Sequence, residues 1–273
     1  MTTAGFIGLG SQGGPMARRI VESGNPLTIW ARRPESLEPY ADTAASLAST
    51  PAELGAASDV VGICVMGDAD VEDVLLRDDG VLAGMSAGGV VAIHSTIHPD
   101  TCVRIAEHAS KRGVAIVDAP VSGGGGAAAE RKLLVMVGGE EEHVARCRPI
   151  FETYGDPVVH LGPLGSGQMA KLVNNLVFTA LVTVGLDTFT FADELGMDRG
   201  ALAQVLAHGS GGTRAAAILA ASGFDTSGMR QSVVTLQKDV RIVLDVARGR
   251  HASEPASIVE LARRTLRTLA PNA

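Results

Sequence analysis

The chain has few aromatic residues, no excess of positive charge and no long apolar run. Aromatic side chains make up 3% of its 273 residues, so we expect small side chains to line its pockets. A formal net charge of −7 disfavours nucleic acid and anionic membranes as partners. No stretch of 18 consecutive apolar residues is present, which disfavours a transmembrane helix. We therefore expect neither nucleic acid nor a membrane as partner.

Cysteine is also scarce. Cys64, Cys102 and Cys147 show no metal-binding spacing and are too few for a disulfide framework. The seven histidines form no ligand pair at helical spacing, so no metal site is predicted. Free thiols are typical of a reducing compartment, and no signal peptide precedes the first predicted strand. We therefore expect a cytoplasmic protein.

The first strand runs directly into a glycine-rich turn. Gly8, Gly10 and Gly13 have the spacing G-x-G-x-x-G, and a helical pattern follows them. In this motif the first glycine permits a tight turn and the second lets a pyrophosphate approach the backbone. The third allows the helix to pack closely on the strand, and the helix N-terminus favours the anion. The turn predicts a dinucleotide site formed by Gly8, Leu9, Gly10, Ser11, Gln12 and Gly13.

The end of the second predicted strand indicates which dinucleotide is bound. NAD-binding proteins usually carry a carboxylate there for the ribose 2′-hydroxyl. This chain has Arg32 and Arg33 instead, and its first carboxylate is Glu35. Guanidinium groups bind phosphate through parallel charge-assisted hydrogen bonds. We therefore predict NADP(H) in preference to NAD(H), the alternative being two solvated arginines on a surface turn.

Strand and helix signals alternate over residues 1–161. Continuous apolar runs such as Val60–Val65 and Val90–Ile93 are typical of strands buried on both faces of a parallel sheet. Six to seven such strands separated by helices predict an α/β fold, a doubly wound Rossmann sheet. We assign residues 1–161 to this NADP-binding domain.

No strand signal follows Gly162-Pro163. Residues 166–195 read as one long helix, and shorter helices follow near 198–208, 213–222, 229–249 and 254–269. We therefore predict an all-α domain over residues 162–273 for substrate binding and dimerisation, joined through a long interdomain helix. That helix is apolar on more than one face, which favours a homodimer or homotetramer formed through the C-terminal helices.

Three further motifs carry polar groups suited to chemistry. Ser122, Gly123 and Gly124 follow a strand, and a hydroxyl beside two accessible backbone N–H groups suits a small carboxylate. An ordinary glycine-rich surface loop remains the alternative. Lys171 and Asn175 lie four residues apart on the long helix and so share a face, which pairs a proton donor with an orienting amide.

The third motif is a lysine–aspartate pair late in the chain. Lys238 and Asp239 occur in a predicted helix, where such a pair is most often a surface ion pair. We include both in the predicted substrate site together with Asn174, and we include Lys238 in the cofactor site as well. No other late motif carries comparable chemistry.

Together these motifs resemble the β-hydroxyacid dehydrogenase family in order and spacing. That family includes 3-hydroxyisobutyrate dehydrogenases and the tartronate semialdehyde and glyoxylate/succinic semialdehyde reductases. The resemblance rests on the Gly8–Ala17 turn, the D-A-P-V-S-G-G loop, the K-L-V-N-N helix and the late K-D pair. It spans nearly the whole chain, with smaller matches at Val65-Met66-Gly67 and His94-Ser95-Thr96.

The resemblance implies a role for each matching residue. Lys171 would be the catalytic general acid and base, and Asn175 would orient it. The substrate, a small β-hydroxyacid or its semialdehyde or keto acid, would be bound by Ser122, Gly123, Gly124, Asn175 and Lys238. Val65, Met66 and Thr96 would contact the cofactor, and Arg32 would bind the 2′-phosphate. Two alternatives stay open: an imine reductase-like NADPH enzyme and a non-catalytic NADPH-binding protein.

Overall fold

A computed structural model describes residues 2–270. The chain divides into two compact units, Met1–Lys171 and Leu172–Ala273. The sequence places the change between domains at residues 161 and 162, whereas the first compact unit also includes the opening turns of the long helix. The physical reason is that Asp118 accepts backbone hydrogen bonds from Gly165 and Gln168, which ties the start of that helix to the first unit.

The first unit alternates strands and helices, as the sequence predicts. Two short 3₁₀ turns, Pro34–Ser36 and Glu38–Tyr40, follow its second strand. The elements are β1 (Ala4–Ile7), α1 (Gly13–Glu22), β2 (Leu27–Trp30), β3 (Ser46–Leu47), α2 (Pro51–Ala56), β4 (Val60–Ile63), α3 (Asp68–Leu76), α4 (Val81–Gly84), β5 (Val90–Ile93), α5 (Pro99–Ser110), β6 (Ala115–Asp118), β7 (Val121–Ser122), α6 (Gly124–Ala129), β8 (Leu133–Val137), α7 (Glu141–Phe151), β9 (Gly155–His160) and the start of α8 (Ser166–Glu194).

The main sheet is parallel and has the strand order β3-β2-β1-β4-β5-β6. Strands β1, β4 and β5 are buried along their whole length because helices cover both faces of the sheet. The order reverses between β1 and β4, and ligands of doubly wound folds bind beside such a switch point at the carboxyl ends of the strands. The predicted Rossmann architecture is confirmed.

The last three strands of the first unit form a separate small sheet. Its order is β7-β8-β9, with β7 antiparallel and β9 parallel to β8. A single antiparallel bridge between Asp118 and Gly138 connects it to the end of β6. The sequence analysis expected one continuous sheet and treated residues 118–124 as a loop. The structure instead places strand β7 and the start of α6 there.

The second unit is entirely helical over its described residues, which confirms the predicted all-α domain. After α8 it contains α9 (Arg199–His208), α10 (Arg214–Ala221), α11 (Ser227–Arg230), α12 (Val233–Gly249) and α13 (Ala256–Leu269). Thr183 of α8 and Thr265 of α13 share a buried hydrogen bond of 2.7 Å between their hydroxyls. Because buried hydroxyls need partners, this pair fixes the register of α13 on α8.

Helix α8 is unusually long and apolar. By length and composition it is the one described helix that could cross a membrane, with a mean hydropathy of 1.5 over its most apolar window. Of that window, 44% is buried inside the protein. The core helix of a globular domain passes the same test, so a single such helix is weak evidence for a membrane span.

Candidate active site

The glycine-rich turn connects β1 to α1 and has the geometry of a phosphate cradle. Gly8 has a φ of +99°, and a Cβ there would overlap the carbonyl oxygen of Cys64. A Cβ at Gly13 would overlap the carbonyl oxygen of Gly8, so α1 can approach the strand only with glycine at this position. A Cβ at Gly10 would have no atom within 4 Å. The open backbone beside Gly10, at the N-terminus of α1, therefore fits a pyrophosphate group.

The two arginines after β2 have different environments. A terminal nitrogen of Arg32 lies 3.3 Å from a carboxylate oxygen of Asp70 and 3.2 Å from one of Asp73, both on α3. Arg33 is more exposed, and its Nε atom lies 4.0 Å from a carboxylate oxygen of Glu35. Both side chains are exposed, 61% for Arg32 and 76% for Arg33, and they differ in that the Arg32 guanidinium lies between two carboxylates.

The loops after β4 and β5 lie at the same edge of the sheet as the glycine turn, because their strands are parallel to β1. The backbone N–H of Val65 donates to the hydroxyl of Ser95 across 2.8 Å, which joins the two loops. Met66 has 70% of its surface exposed and is free of the core. Val65, Met66 and Thr96 are therefore grouped at the predicted cofactor edge.

The motif predicted to bind a carboxylate lies against the glycine turn. Ser122 ends β7, and Gly123 and Gly124 follow with φ angles of +136° and +77°. A Cβ at Gly125, in the first turn of α6, would overlap the carbonyl oxygen of Ser11. This glycine therefore allows α6 to pack on the turn, which places Ser122 and its neighbours close to the predicted cofactor loop.

The start of α8 is held by Asp118, a residue that the sequence analysis did not single out as functional. Its side chain is fully buried, and its carboxylate accepts hydrogen bonds from the N–H groups of Gly165 (2.7 Å) and Gln168 (2.6 Å). A Cβ at Gly138 would overlap the same carboxylate. Burial raises the pKa of Asp118, while the backbone N–H bonds lower it.

Gln168 is the second residue that the sequence analysis missed. Its side-chain amide is fully buried and bonds the backbone on either side of Thr96. The Nε2 group donates to the carbonyl oxygen of Ser95 at 2.8 Å, and Oε1 accepts from the N–H of Ile97 at 3.1 Å. A signal was available, since a glutamine three residues before Lys171 stands between small and apolar residues. Its partners, however, lie more than 70 residues away.

Lys171 is the last residue of the first compact unit and is partly buried. The other helical candidates belong to the second unit, where the structure gathers them into one network. Asn175 donates from Nδ2 to Oδ2 of Asp239 at 2.6 Å and accepts at Oδ1 from Asn174 at 3.1 Å. Lys238 lies 3.0 Å from the other oxygen of Asp239.

This network differs from the surface ion pair considered as an alternative for Lys238 and Asp239. Asp239 has none of its surface exposed, and the side chain of Lys238 is 20% exposed. A buried carboxylate is stable when it is paired and hydrogen-bonded, and Asp239 has both kinds of partner. The structure therefore brings together all four predicted residues of the second unit.

Another buried polar side chain lies at the end of β5. His94 bonds from Nδ1 to the carbonyl oxygen of Ala119 (2.7 Å) and from Nε2 to the hydroxyl of Tyr154 (3.1 Å). It stacks on Phe6 and contacts Phe151 edge-on. Burial lowers the pKa of His94 to about 4, so the imidazole is neutral at pH 7. Among residues 2–270, no group of three or more histidine, cysteine or acidic side chains could hold a metal ion.

Comparison with known proteins identifies both units. Residues 3–162 match the NAD binding domain of 6-phosphogluconate dehydrogenase, and residues 165–272 match the NAD-binding domain of NADP-dependent 3-hydroxyisobutyrate dehydrogenase. Two Pseudomonas aeruginosa enzymes, a 3-hydroxyisobutyrate dehydrogenase and an NAD-dependent L-serine dehydrogenase, are each 31% identical to the chain. Each alignment covers 78% of this chain and 71% of the relative.

The fold is also similar to that of a solved relative. The structure of Mycobacterium tuberculosis 3-hydroxyisobutyrate dehydrogenase with L-serine aligns over 100% of this chain and 94% of that one, with a TM-score of 0.84 and 26% identity. The glycine turn, the two matched domains and the hydroxyacid dehydrogenase relatives all indicate hydride chemistry with a nicotinamide nucleotide. The chain belongs to the β-hydroxyacid dehydrogenase family.

Proposed function

We propose that the chain interconverts a small β-hydroxyacid and its semialdehyde or keto acid, with Lys171 as general acid and base. The observation that carries this proposal is the fixed amide of Asn175. Lys171 precedes it by four residues on α8, so both side chains project from the same face. Asp239 accepts a hydrogen bond from the Nδ2 group of Asn175. The Oδ1 atom of Asn175 therefore faces away from Asp239 and can accept a hydrogen bond from an ammonium.

Each candidate residue has one task in this reaction. When bound, the nicotinamide ring supplies or accepts the hydride. Lys171 donates a proton to the substrate oxygen in reduction and removes one in oxidation. Ser122 and the N–H groups of Gly123 and Gly124 bind the substrate carboxylate, and Lys238 adds positive charge. Asn174 supports Asn175 through the 3.1 Å hydrogen bond.

The substrate class follows from what the relatives act on or bind. The names of those proteins include 3-hydroxyisobutyrate and L-serine. Both molecules carry a carboxylate and a hydroxyl on the β-carbon, and this pair of groups matches the proposed carboxylate anchor and proton donor. We propose a substrate with the same pair of groups.

The direct test is oxidation of 3-hydroxyisobutyrate, L-serine and related hydroxyacids, each with NADP⁺ and with NAD⁺. Turnover of at least one β-hydroxyacid, and its loss in Lys171→Met, supports the proposal. Activity confined to α-hydroxyacids, or an active Lys171→Met variant, contradicts it. The reverse reaction with the matching semialdehyde is measured in parallel.

We further propose NADP(H) as the preferred cofactor. Arg32 follows β2 and no carboxylate occupies the end of that strand. One matched domain is described as NADP-dependent, whereas the L-serine dehydrogenase relative is NAD-dependent. The preference therefore depends on Arg32 itself, and the ratio of kcat/KM for the two cofactors measures it. We also propose a cytoplasmic location, since Cys64, Cys102 and Cys147 are all free thiols.

A homodimer is proposed from an apolar stripe that runs along α8 and ends at Leu195, the residue that follows the helix and still bonds back to Phe191. Its members are spaced so that all lie within about 40° around the helix axis. They have exposed fractions from 38% to 59% and consist of Val173, Val177, Val184, Phe191 and Leu195. The spacing is symmetric about Val184, with residues at seven and eleven positions on either side. A second copy packed antiparallel would set Val173 against Leu195 of the partner subunit.

An isologous contact of this kind needs a self-complementary surface, which the symmetric stripe provides. Val184→Glu puts a charge at the centre of the stripe, and we expect it to yield monomers in light scattering. Val205→Glu is the control, because Val205 is 64% exposed on α9 and lies off the stripe. A Val184→Glu variant with the native mass would contradict this interface.

A further inference from the structure

Gln168 links the Ser95–Ile97 loop to the first turn of α8. The proposed reaction requires a fixed distance between these two segments. Its amide bonds both the carbonyl of Ser95 and the N–H of Ile97, which enclose Thr96 in the loop assigned to the cofactor. Its own backbone belongs to α8, three residues before Lys171. A planar amide with both ends bonded has no freedom to rotate. The Ser95–Ile97 loop and the first turn of α8 therefore form one rigid body.

Asp118 fixes the same first turn of α8 through its carboxylate. Its two carboxylate oxygens accept from Gly165 and from the backbone N–H of Gln168, so the first turn cannot slide along its axis. Glycines surround this carboxylate, and a Cβ at Gly138 would displace it. Asp118 also ends β6, whose neighbour β5 leads into the Ser95–Ile97 loop. The Ser95–Ile97 loop and Asp118 are thus attached to β5 and β6, which are adjacent strands of the main sheet.

We propose that Gln168 and Asp118 are positioning residues, which set the distance between the Thr96 loop and the ammonium of Lys171. The inference rests on the proposed role of Lys171 as proton donor. Neither residue touches the reacting atoms. Reaction requires that the reacting groups approach to about 3–3.5 Å, and a displacement of about 1 Å can lower the rate about 100-fold. A buried linkage between the cofactor loop and the proton donor removes that freedom.

The test uses Gln168→Met, which has a similar volume and neither hydrogen-bonding group. We expect kcat on the best hydroxyacid substrate to fall between 10-fold and 100-fold, as for other residues that orient a reacting group. The Kd for NADP⁺ should change less than threefold. The primary deuterium isotope effect on kcat should rise, since misplaced groups slow hydride transfer more than product release.

Thr183→Val is the matched control. It removes a buried hydrogen bond from the same helix, to Thr265, in the second unit. It should lower the melting temperature while leaving kcat and the isotope effect unchanged. Asp118→Asn is a second variant, which keeps one acceptor oxygen and loses the other. It should lower kcat in the same direction as Gln168→Met.

The outcomes separate this inference from the proposed function. An unchanged kcat in Gln168→Met overturns the positioning role, as does a loss of kcat that Thr183→Val shares at equal loss of stability. If Lys171→Met itself stays active, the proposed proton donor is wrong, whatever Gln168→Met does. A large rise in KM or in the NADP⁺ Kd, with kcat unchanged, would assign Gln168 to binding instead.

Discussion

The amide of Asn175 donates to the carboxylate of Asp239 across 2.6 Å, and this bond joins α8 to α12. Asp239 also pairs with Lys238 at 3.0 Å, so one fully buried carboxylate organises an amide and an ammonium. Removal of Asp239 would take away the carboxylate that pairs with Lys238 and the acceptor that holds the Nδ2 group of Asn175. We therefore expect stability and the proposed catalysis to depend on the same side chain.

Asp239→Ala should destabilise the protein by about 3 kcal/mol, because it removes one partner of a buried ion pair and the acceptor of a buried hydrogen bond. The matched control is Asp187→Ala, which removes an exposed pair with Arg264 from the same unit. Exposed pairs contribute about 0–1 kcal/mol, so the control should lose little. Urea unfolding of the two variants gives the comparison, and equal losses would contradict the buried network.

Lys171→Met should lower kcat at least 100-fold, because general acid–base groups contribute about 10²–10⁴-fold to the rate. NADP⁺ binding should change less than threefold, since the glycine turn and Arg32 are intact. Lys132→Met is the control, because Lys132 is an exposed lysine paired with Glu130. Steady-state kinetics and calorimetric titration measure the two effects. A fall in nucleotide binding equal to the fall in kcat would point to misfolding.

Arg32→Ala should weaken NADP⁺ binding about tenfold or more and leave NAD⁺ binding unchanged, since only NADP⁺ carries the 2′-phosphate. Removal of the negative charges of Asp70 and Asp73, which pair with Arg32, should have the opposite effect on NADP⁺ binding. Asp70→Asn with Asp73→Asn should strengthen NADP⁺ binding several-fold, because both carboxylates bond the guanidinium and repel a phosphate.

Glu72→Gln is the control for the acidic pair. Glu72 lies on the same helix but pairs with Arg104, so its loss should change neither nucleotide's Kd. Titration with both nucleotides measures Arg32→Ala, the double variant and Glu72→Gln. NADP⁺ binding that is insensitive to Arg32→Ala would remove the basis for the predicted preference.

His94 should make stability fall as the pH is lowered. Its pKa is about 4 in the folded protein and about 6.5 in an unfolded chain, so the unfolded state takes up the proton first. Stability is therefore lost as the pH falls from about 6.5 towards 4, by at most about 3 kcal/mol. Urea unfolding at pH 7 and pH 5 should show a smaller difference for His94→Gln than for the native protein. His208→Gln, at an exposed position, should leave the difference unchanged.

The local signals in the sequence predict most of the fold. Buried strands such as Val90–Ile93, the glycine turn and the 29 residues of α8 each have a pattern confined to one segment. The loop predicted to bind the substrate was harder, because the three glycines that open Gly124–Ala129 disfavour a helix, yet α6 forms there and packs closely on Ser11.

The residues that we propose as positioning residues could not be predicted from local patterns. Asp118 and Gln168 act through partners that lie 47 to 73 residues away in the sequence. Likewise, Asp70 and Asp73 look like ordinary solvated acids of a helix until the fold brings Arg32 beside them. Contacts of this range depend on the completed sheet, which no single segment encodes.

The attachment of the first turn of α8 to Asp118 limits how the two halves of the gene product can be recombined. A chimaera joined at Gly162-Pro163, where the sequence predicts the change of domain, would pair Asp118 with a foreign helix start. A fusion that keeps residues through Lys171 retains the native partners of that carboxylate. The module of this protein that can be exchanged therefore ends inside a continuous helix rather than at Gly162-Pro163.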